Sequence, residues 1–408
     1  MADGRWRIRD LRAYVVEGSV AKATDAPKGG HWRADDPMAN VMSVHNAYAG
    51  ARTDWGIDVI GNLHVEVEGE DGQVGIATGQ GGVPACFLIE KMFRRFVVGS
   101  DVRDIARMWD QMFRSIGFNH GRSGLSIYAL SVVDLALWDL LGLRRGEPVA
   151  KMIGGHVRDA LPCYLTGPDP LAAKRLGFTG AKLTLPYSPL AAGADGHRAL
   201  ARNLDYVRGW RDKVGAGFPL KIDCWSALDV RSAIDFITAA REVNLYWFEE
   251  VLHPDDVDGF RLIRQACPWA RLTTGEHHHT RYGHRRLIAE RLVDIVQPDL
   301  RWGGGMTEIL RIAALANAFD IPVIPHGGSS YTYAFAATQP TTPFVEYISP
   351  SARGDTIEPV MGELFEGEPL PEQGLIHLSE APGWGLTFRR DRLEQSGARL
   401  VRPYPAAG

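Results

Sequence analysis

An α/β protein is predicted: a modified TIM barrel, (β/α)7β-like, with an α+β N-terminal domain that the C-terminal tail completes. Three observations lead there. From about residue 160, short apolar runs alternate with longer amphipathic stretches, the pattern of parallel βαβ units. Six ionisable residues recur in phase with those runs, at intervals of 26, 27, 23, 27 and 20 residues. Before residue 160 the pattern is instead a hairpin followed by helices. The expected division is an α+β domain over 1–158, a barrel over 159–350 and a segment over 351–408 that packs back on the first domain.

In chain order, Leu63-His-Val-Glu-Val-Glu68 alternates with period two, Asp71-Gly72 supplies a tight reversal, and Val74-Gly-Ile-Ala77 returns, which predicts an antiparallel hairpin. Ile105 to Phe113 and Leu130 to Leu141 carry apolar residues at helical spacing, with Gly142, Gly146 and Pro148 as stop signals and the domain closing near Ile153-Gly-Gly155. Eight barrel strands follow: Leu161–Thr166, Gly180–Leu185, Pro219–Asp223, Leu245–Glu249, Leu272–Glu276, Val293–Asp299, Pro322–His326 and Phe344–Tyr347. Between the second and third, Leu200, Leu204, Val207 and Trp210 share one helical face. After Ser351 the prolines at 359, 369, 371, 382 and 403 leave too little periodicity for another βα unit.

The 408 residues, 45% of them hydrophobic and 23% charged, suffice for a large core, and a net charge of −4 with dispersed basic residues argues against nucleic acid as a partner. A small-molecule substrate is expected. The N-terminus lacks the apolar core of a signal peptide, and no run approaches the ~18 uninterrupted apolar residues of a membrane span, so a cytoplasmic protein without membrane contact is expected. Cys86, Cys163, Cys224 and Cys267 are scattered, as reduced core thiols would be.

The six phased residues are Asp223, Glu249, Glu276, Asp299, His326 and Glu346. In a barrel they form one ring at the C-terminal mouth, where the fold builds its sites. Carboxylates gathered there raise one another's pKa and must be compensated by positive charge. Asp223, Glu249 and Glu276, on adjacent strands, suit a hard divalent ion, and Mg2+ held by few carboxylates keeps positions open for substrate. Any one of them alone reads equally well as a solvent-facing strand end. A lone histidine is ordinarily a satisfied core residue. His326 beside Asp299 reads otherwise, because the carboxylate fixes one ring nitrogen and raises the basicity of the other, giving a general base. A metal next to a base suits removal of the weakly acidic proton α to a carboxylate. Glu346 can donate a hydrogen bond to the substrate carboxylate from the opposite side if it is protonated. In His277-His278-His279 successive side chains point apart, so the three cannot share an ion; His277 is assigned to substrate, while His278 and His279 read as loop or surface residues.

With those residues in place, the chain resembles the enolase superfamily, mandelate racemase subgroup, and within it the L-rhamnonate dehydratases. The resemblance rests on Gly30-His-Trp32, Asp35-Asp36, Gly56-Ile57, Val59-Ile-Gly61, Val132-Val-Asp-Leu-Ala-Leu-Trp-Asp139, Leu220-Lys-Ile-Asp-Cys-Trp225, Trp247-Phe-Glu-Glu250, Gly275-Glu-His-His278, Gln297-Pro-Asp299, Pro325-His-Gly327 and Thr342-Pro-Phe344. It implies a capping domain over the barrel, a homo-oligomer, Mg2+ on Asp223, Glu249 and Glu276, and abstraction of the α-proton by His326. The same His326 then protonates the departing 3-hydroxyl, giving a 2-keto-3-deoxy acid. His31 and Arg52 from the first domain, with Lys182 and His277, are the implied substrate contacts. Racemases of the subgroup carry Lys-x-Lys on the second barrel strand; here the sequence is Lys182-Leu-Thr184, so no second base faces His326 from that strand and elimination is favoured.

Gly327-Gly-Ser-Ser-Tyr331, Tyr347-Ile-Ser-Pro-Ser-Ala-Arg-Gly354 and His279 depart from the rhamnonate pattern. L-lyxonate or L-mannonate, or an epimerase reaction, therefore stay open, as do a zinc hydrolase using the histidine run and a non-catalytic acid-sugar binding protein.

Overall fold

The structure is a computed structural model that describes residues 6–17, 30–45, 48, 55–362 and 364–405. Its N-terminal domain is an antiparallel sheet in the order β14-β1-β2-β3, with β1 at Ile8–Glu17, β2 at Asn62–Gly69, β3 at Val74–Gln80 and β14 at Arg399–Val401. The hairpin turns at Gly72, whose φ of 83° is available to glycine at no steric cost. β1 is an addition to the sequence reading. Its pairing with β14, Val15 opposite Val401, brings both ends of the chain into one sheet.

β2 shows why alternation does not always mean one wet face. Leu63, Val65 and Val67 are buried, but so are His64, Glu66 and Glu68 on the other side. Arg12 reaches Glu66 at 3.0 Å, Arg390 binds Glu66, and the Phe388 ring lies 4.6 Å from the His64 ring. Burial pushes the Glu66 carboxyl up, but His64, Arg390 and Arg12 bring it down to about 2.

The two predicted helices extend to Ile105–Gly117 and Leu125–Arg145. Gly142 does not stop the second. It lies inside the helix, where an added Cβ would come within 2.7 Å of Gly383, and the stop is Gly146 in the left-handed conformation. This helix is long and apolar enough to cross a membrane, but 83% of its most apolar window is buried within the fold, which makes it a core helix. Its close seat on the sheet is set by Gly75, whose Cβ would meet Leu140 N at 2.4 Å.

The barrel is a curled parallel sheet of β4 (Leu161–Thr166), β5 (Ala181–Thr184), β6 (Leu220–Asp223), β7 (Phe248–Glu249), β8 (Leu272–Thr274), β9 (Ile295–Val296) and β10 (Val345–Ile348), in the order β10-β4-β5-β6-β7-β8-β9. The seventh predicted strand, at Pro322–His326, is reduced to one bridge between Val296 and Val323. Pro322 and Pro325 bring no N–H to a ladder, so Ile324 N and His326 N carry the pairing, to Val296 O and Pro298 O at 3.0 and 3.2 Å. The predicted helix over Leu200–Trp210 is Ala194–Val214; Leu204 and Val207 are buried, whereas Leu200 is exposed.

In the last segment, β11 (Phe365–Glu366) pairs with β13 (Thr387–Phe388), and β12 (Leu375–Ile376) pairs antiparallel with β4. Trp384 donates through Nε1 to Leu135 O, and Arg402 grips Glu90 at 2.7 and 2.9 Å.

Candidate active site

The sheet register lines up the site. Asp223 ends β6 beside Thr184 and opposite Glu249 of β7, and the chain then turns sharply at Trp225, Ser226 and Glu250, all with positive φ. Inward-pointing residues form two layers. The lower one packs Tyr164, Trp247, Ile295 and Ile324 with Phe344, and Lys221 lies among their rings. The upper layer is charged.

In that layer Lys182, fully buried, places Nζ 2.5 Å from Glu249, 2.9 Å from Glu346 and 3.4 Å from Asp223. Burial would drive the lysine neutral, but Glu249 and Glu346 together raise its pKa well above the ordinary value. Gln297 donates to the other oxygen of Glu249 at 3.1 Å. The Glu346 carboxylate accepts from Thr166 Oγ1 and from Gly327 N at 2.7 Å. Although burial pushes its pKa up, Lys182 and His326 bring it down to about 2. Against the expectation of a protonated Glu346, the Lys182 ammonium and His326 beside it favour the carboxylate form.

His326 Nδ1 lies 2.9 Å from Asp299 Oδ2, and its Nε2 faces Glu276 Oε2 at 3.4 Å. Asp299 Oδ1 accepts from Arg301 N and Trp302 N, which leaves Oδ2 for the imidazole. Burial opposes the charge on the ring, but Glu276 and Asp299 raise its pKa to about 9.

Glu250 is a site residue that sequence reasoning passed over. Its carboxylate, fully buried, lies 2.9 and 3.1 Å from His277 Nδ1, and Glu276 lies 3.7 Å from the same nitrogen. Among the described residues, the ligand atoms of Glu250, Glu276 and His277 lie within 4.8 Å of one another. The available signal was the second glutamate of Phe248-Glu-Glu250, one residue past the expected strand end, where strand alternation would point it away from the site; its φ of 44° turns it back in. His278 is also buried, against His284 at 6.0 Å between rings, rather than at the surface, and His279 lies beside Tyr128. The three histidines diverge, as alternation requires. From the first domain, His31 caps the short helix Trp32–Asp35 and meets Pro350 O at 3.0 Å through Nε2, above the loop that follows β10. Arg52 lies outside the described residues.

Asp223, Glu249 and Glu276 all keep raised pKa values, the last about 7, because burial and mutual repulsion outweigh Lys182 and His326. The upper layer thus has fewer cations than its carboxylates require, and the deficit falls on hard oxygen donors. That is the chemistry of a divalent-cation site of the Mg2+ type.

Two family models match the chain: the mandelate racemase / muconate lactonizing enzyme N-terminal domain over residues 62–154 and the enolase C-terminal domain-like family over 171–392. A protein of Saccharopolyspora erythraea named L-rhamnonate dehydratase is 43% identical over 399 residues, covering 98% of this chain and 99% of that one. Two crystal structures of the L-rhamnonate dehydratase of Gibberella zeae are 44% identical. One has a TM-score of 0.88 and covers 94% of each chain; the other, complexed with Mg, has a TM-score of 0.91 and covers 95% of each. The 3,6-anhydro-D-galactonate cycloisomerase of Zobellia galactanivorans, at 24% identity and TM-score 0.74 over 96% of this chain and 99% of that one, shares the fold. By its sequence along almost its whole length and by its two-domain architecture, the chain belongs to the mandelate racemase / muconate lactonizing enzyme family of the enolase superfamily.

Proposed function

We propose that the protein is a Mg2+-dependent hydro-lyase that dehydrates an acid sugar, L-rhamnonate first among the candidates, to its 2-keto-3-deoxy acid. The observation that carries the reading is the His326–Asp299 pair at 2.9 Å with Nε2 turned towards a carboxylate-rich mouth, in a chain so similar to proteins named L-rhamnonate dehydratase.

Asp299 holds Nδ1, and it is in its neutral form that His326 offers Nε2 to the proton on C2; a cation on Glu276 would cancel the negative charge that most raises the ring's pKa and so favour that form. The C2–H bond breaks, and its electron pair delocalises into the carboxylate as an enediolate. Lys182, held by Glu249 and Glu346, meets that carboxylate. A Mg2+ ion on Asp223, Glu249 and Glu276 would supply concentrated positive charge to the electron-rich oxygens. His326 then returns its proton to the 3-hydroxyl as the C3–O bond breaks, water leaves, and the enol becomes the ketone. His31, Arg52 and His277 are assigned to the polyol and carboxylate. A homo-oligomer in the cytoplasm goes with this reading; light scattering on the purified enzyme checks the assembly, and fractionation of cells the compartment.

A panel of acid sugars with Mg2+, read by a keto-acid assay, tests the reaction and the substrate together. L-rhamnonate is expected to turn over fastest; preference for L-lyxonate or L-mannonate would move the substrate, and exchange at C2 without a new carbonyl would indicate an epimerase. His326→Asn is expected to cut turnover by about 10²–10⁴-fold while Mg2+ binding persists. Turnover retained in that variant would refute the base assignment.

A further inference from the structure

The residues that orient the general base are themselves held by the other domain. Trp302 follows Asp299 in the turn after β9. Its backbone N–H donates to Asp299 Oδ1 at 3.1 Å, and its ring lies 4.9 Å from the His326 ring and 5.7 Å from the His277 ring. It fills the space between the two imidazoles, and only 7% of its surface is exposed. Its Nε1 does not bond to the barrel. It donates to Gln80 Oε1 at 2.8 Å, at the end of β3 in the N-terminal domain.

The turn is pinned from that domain at three further points. Gly304 N donates to Ser131 Oγ at 2.8 Å, Trp109 Nε1 donates to Gly304 O at 2.7 Å, and Thr307 N donates to Asp134 Oδ2 at 2.9 Å. Gly305, with φ of 76°, lies so close to Asp134 that a Cβ would meet Oδ2 at 2.4 Å; no larger residue allows this approach. The core helix Leu125–Arg145, the helix Ile105–Gly117 and β3 therefore hold a segment that also touches Asp299 and His326.

We propose that Trp302 is a positioning residue for the general base: the N-terminal domain, through Gln80, holds the indole against His326 and so fixes the plane of the imidazole over the proton it removes. An aromatic face beside the ring blocks its rotation about the bond to Cβ, while Asp299 holds only one edge. The two constraints together leave a single orientation. Reactions that depend on a proton donor and acceptor at a set distance lose rate steeply when the base is displaced. The proposal rests on the assignment of His326 as the base.

Single-turnover kinetics with enzyme in excess, on full-length protein loaded with Mg2+, separates positioning from folding. Trp302→Ala is expected to lower the rate constant by about a hundred-fold with full amplitude and little change in substrate affinity. Trp302→Phe, which keeps an aromatic face, should recover most of it, and Gln80→Met, which removes only the acceptor, should lose about ten-fold. An unchanged rate constant in Gln80→Met, or losses confined to amplitude or to affinity, would overturn the proposal even if Trp302→Ala failed to fold. An active His326→Asn would instead remove the base assignment beneath it, an outcome read on a different variant.

Discussion

Lys182 and Lys221 are register partners on neighbouring strands, both almost completely buried, and they are held in opposite ways. At the mouth, Lys182 is wrapped by Glu249, Glu346 and Asp223 and stays charged. On the floor, Lys221 has four aromatic rings around its ammonium, Tyr164 at 4.4 Å and Tyr246, Trp247 and Phe344 at 5.2 to 5.3 Å. Burial pulls its pKa down to about 7 despite the pull of Glu249 from above. Burial alone thus does not decide the state of a lysine. What surrounds it does: carboxylates repay desolvation, and ring faces repay only part of it.

Lys182→Met should do the most damage. It leaves Glu249 and Glu346 buried without their cation, costing about 3–5 kcal/mol of stability, and turnover should fall to background; near-normal melting and activity would erase the contrast. Lys221→Met should go the other way. A lysine whose folded pKa is below its unfolded value disfavours the fold most fully below the folded pKa, and the penalty fades as pH rises from about 7 towards the free-lysine range. Its removal should therefore stabilise the protein, by on the order of a few kcal/mol, most clearly at pH 6 and less at pH 9; denaturant melts at the two pH values check the sign.

Mg2+ titration sharpens the mouth side. Glu276, raised to about 7, must lose its proton to act as a ligand, so affinity should increase as pH rises through 7, with proton uptake by the buffer measured calorimetrically. A pH-independent affinity would mean the raised carboxyl is not a ligand. The smallest effect belongs to the cage. Phe344→Leu should cost about 1–2 kcal/mol and leave turnover within a few-fold.

The mouth was legible in the sequence because its residues recur once per βα unit, and that spacing survives folding: Asp223, Glu249, Asp299 and His326 all reach the upper layer. The floor was not, because Lys221 reads as one more polar residue in Leu220-Lys-Ile-Asp223, and a period-two pattern states which way a side chain points without stating what meets it. Glu250 escaped for a different reason, a single backbone angle that reverses its direction. Pro322 and Pro325 could have foretold the missing seventh ladder, since neither offers a donor. The buried polar face of β2 depends on Phe388 and Arg390, more than 300 residues away, and no local pattern carries that distance.

The pairing of β1 with β14 has a consequence for synthesis. Val15 emerges from the ribosome nearly 400 residues before its partner Val401, a wait of roughly 20–80 s at ~5–20 residues per second. Throughout that interval Val15–Glu17 lacks the strand that pairs with it in the finished molecule. That border of the first sheet is completed only once the C-terminal segment has been made.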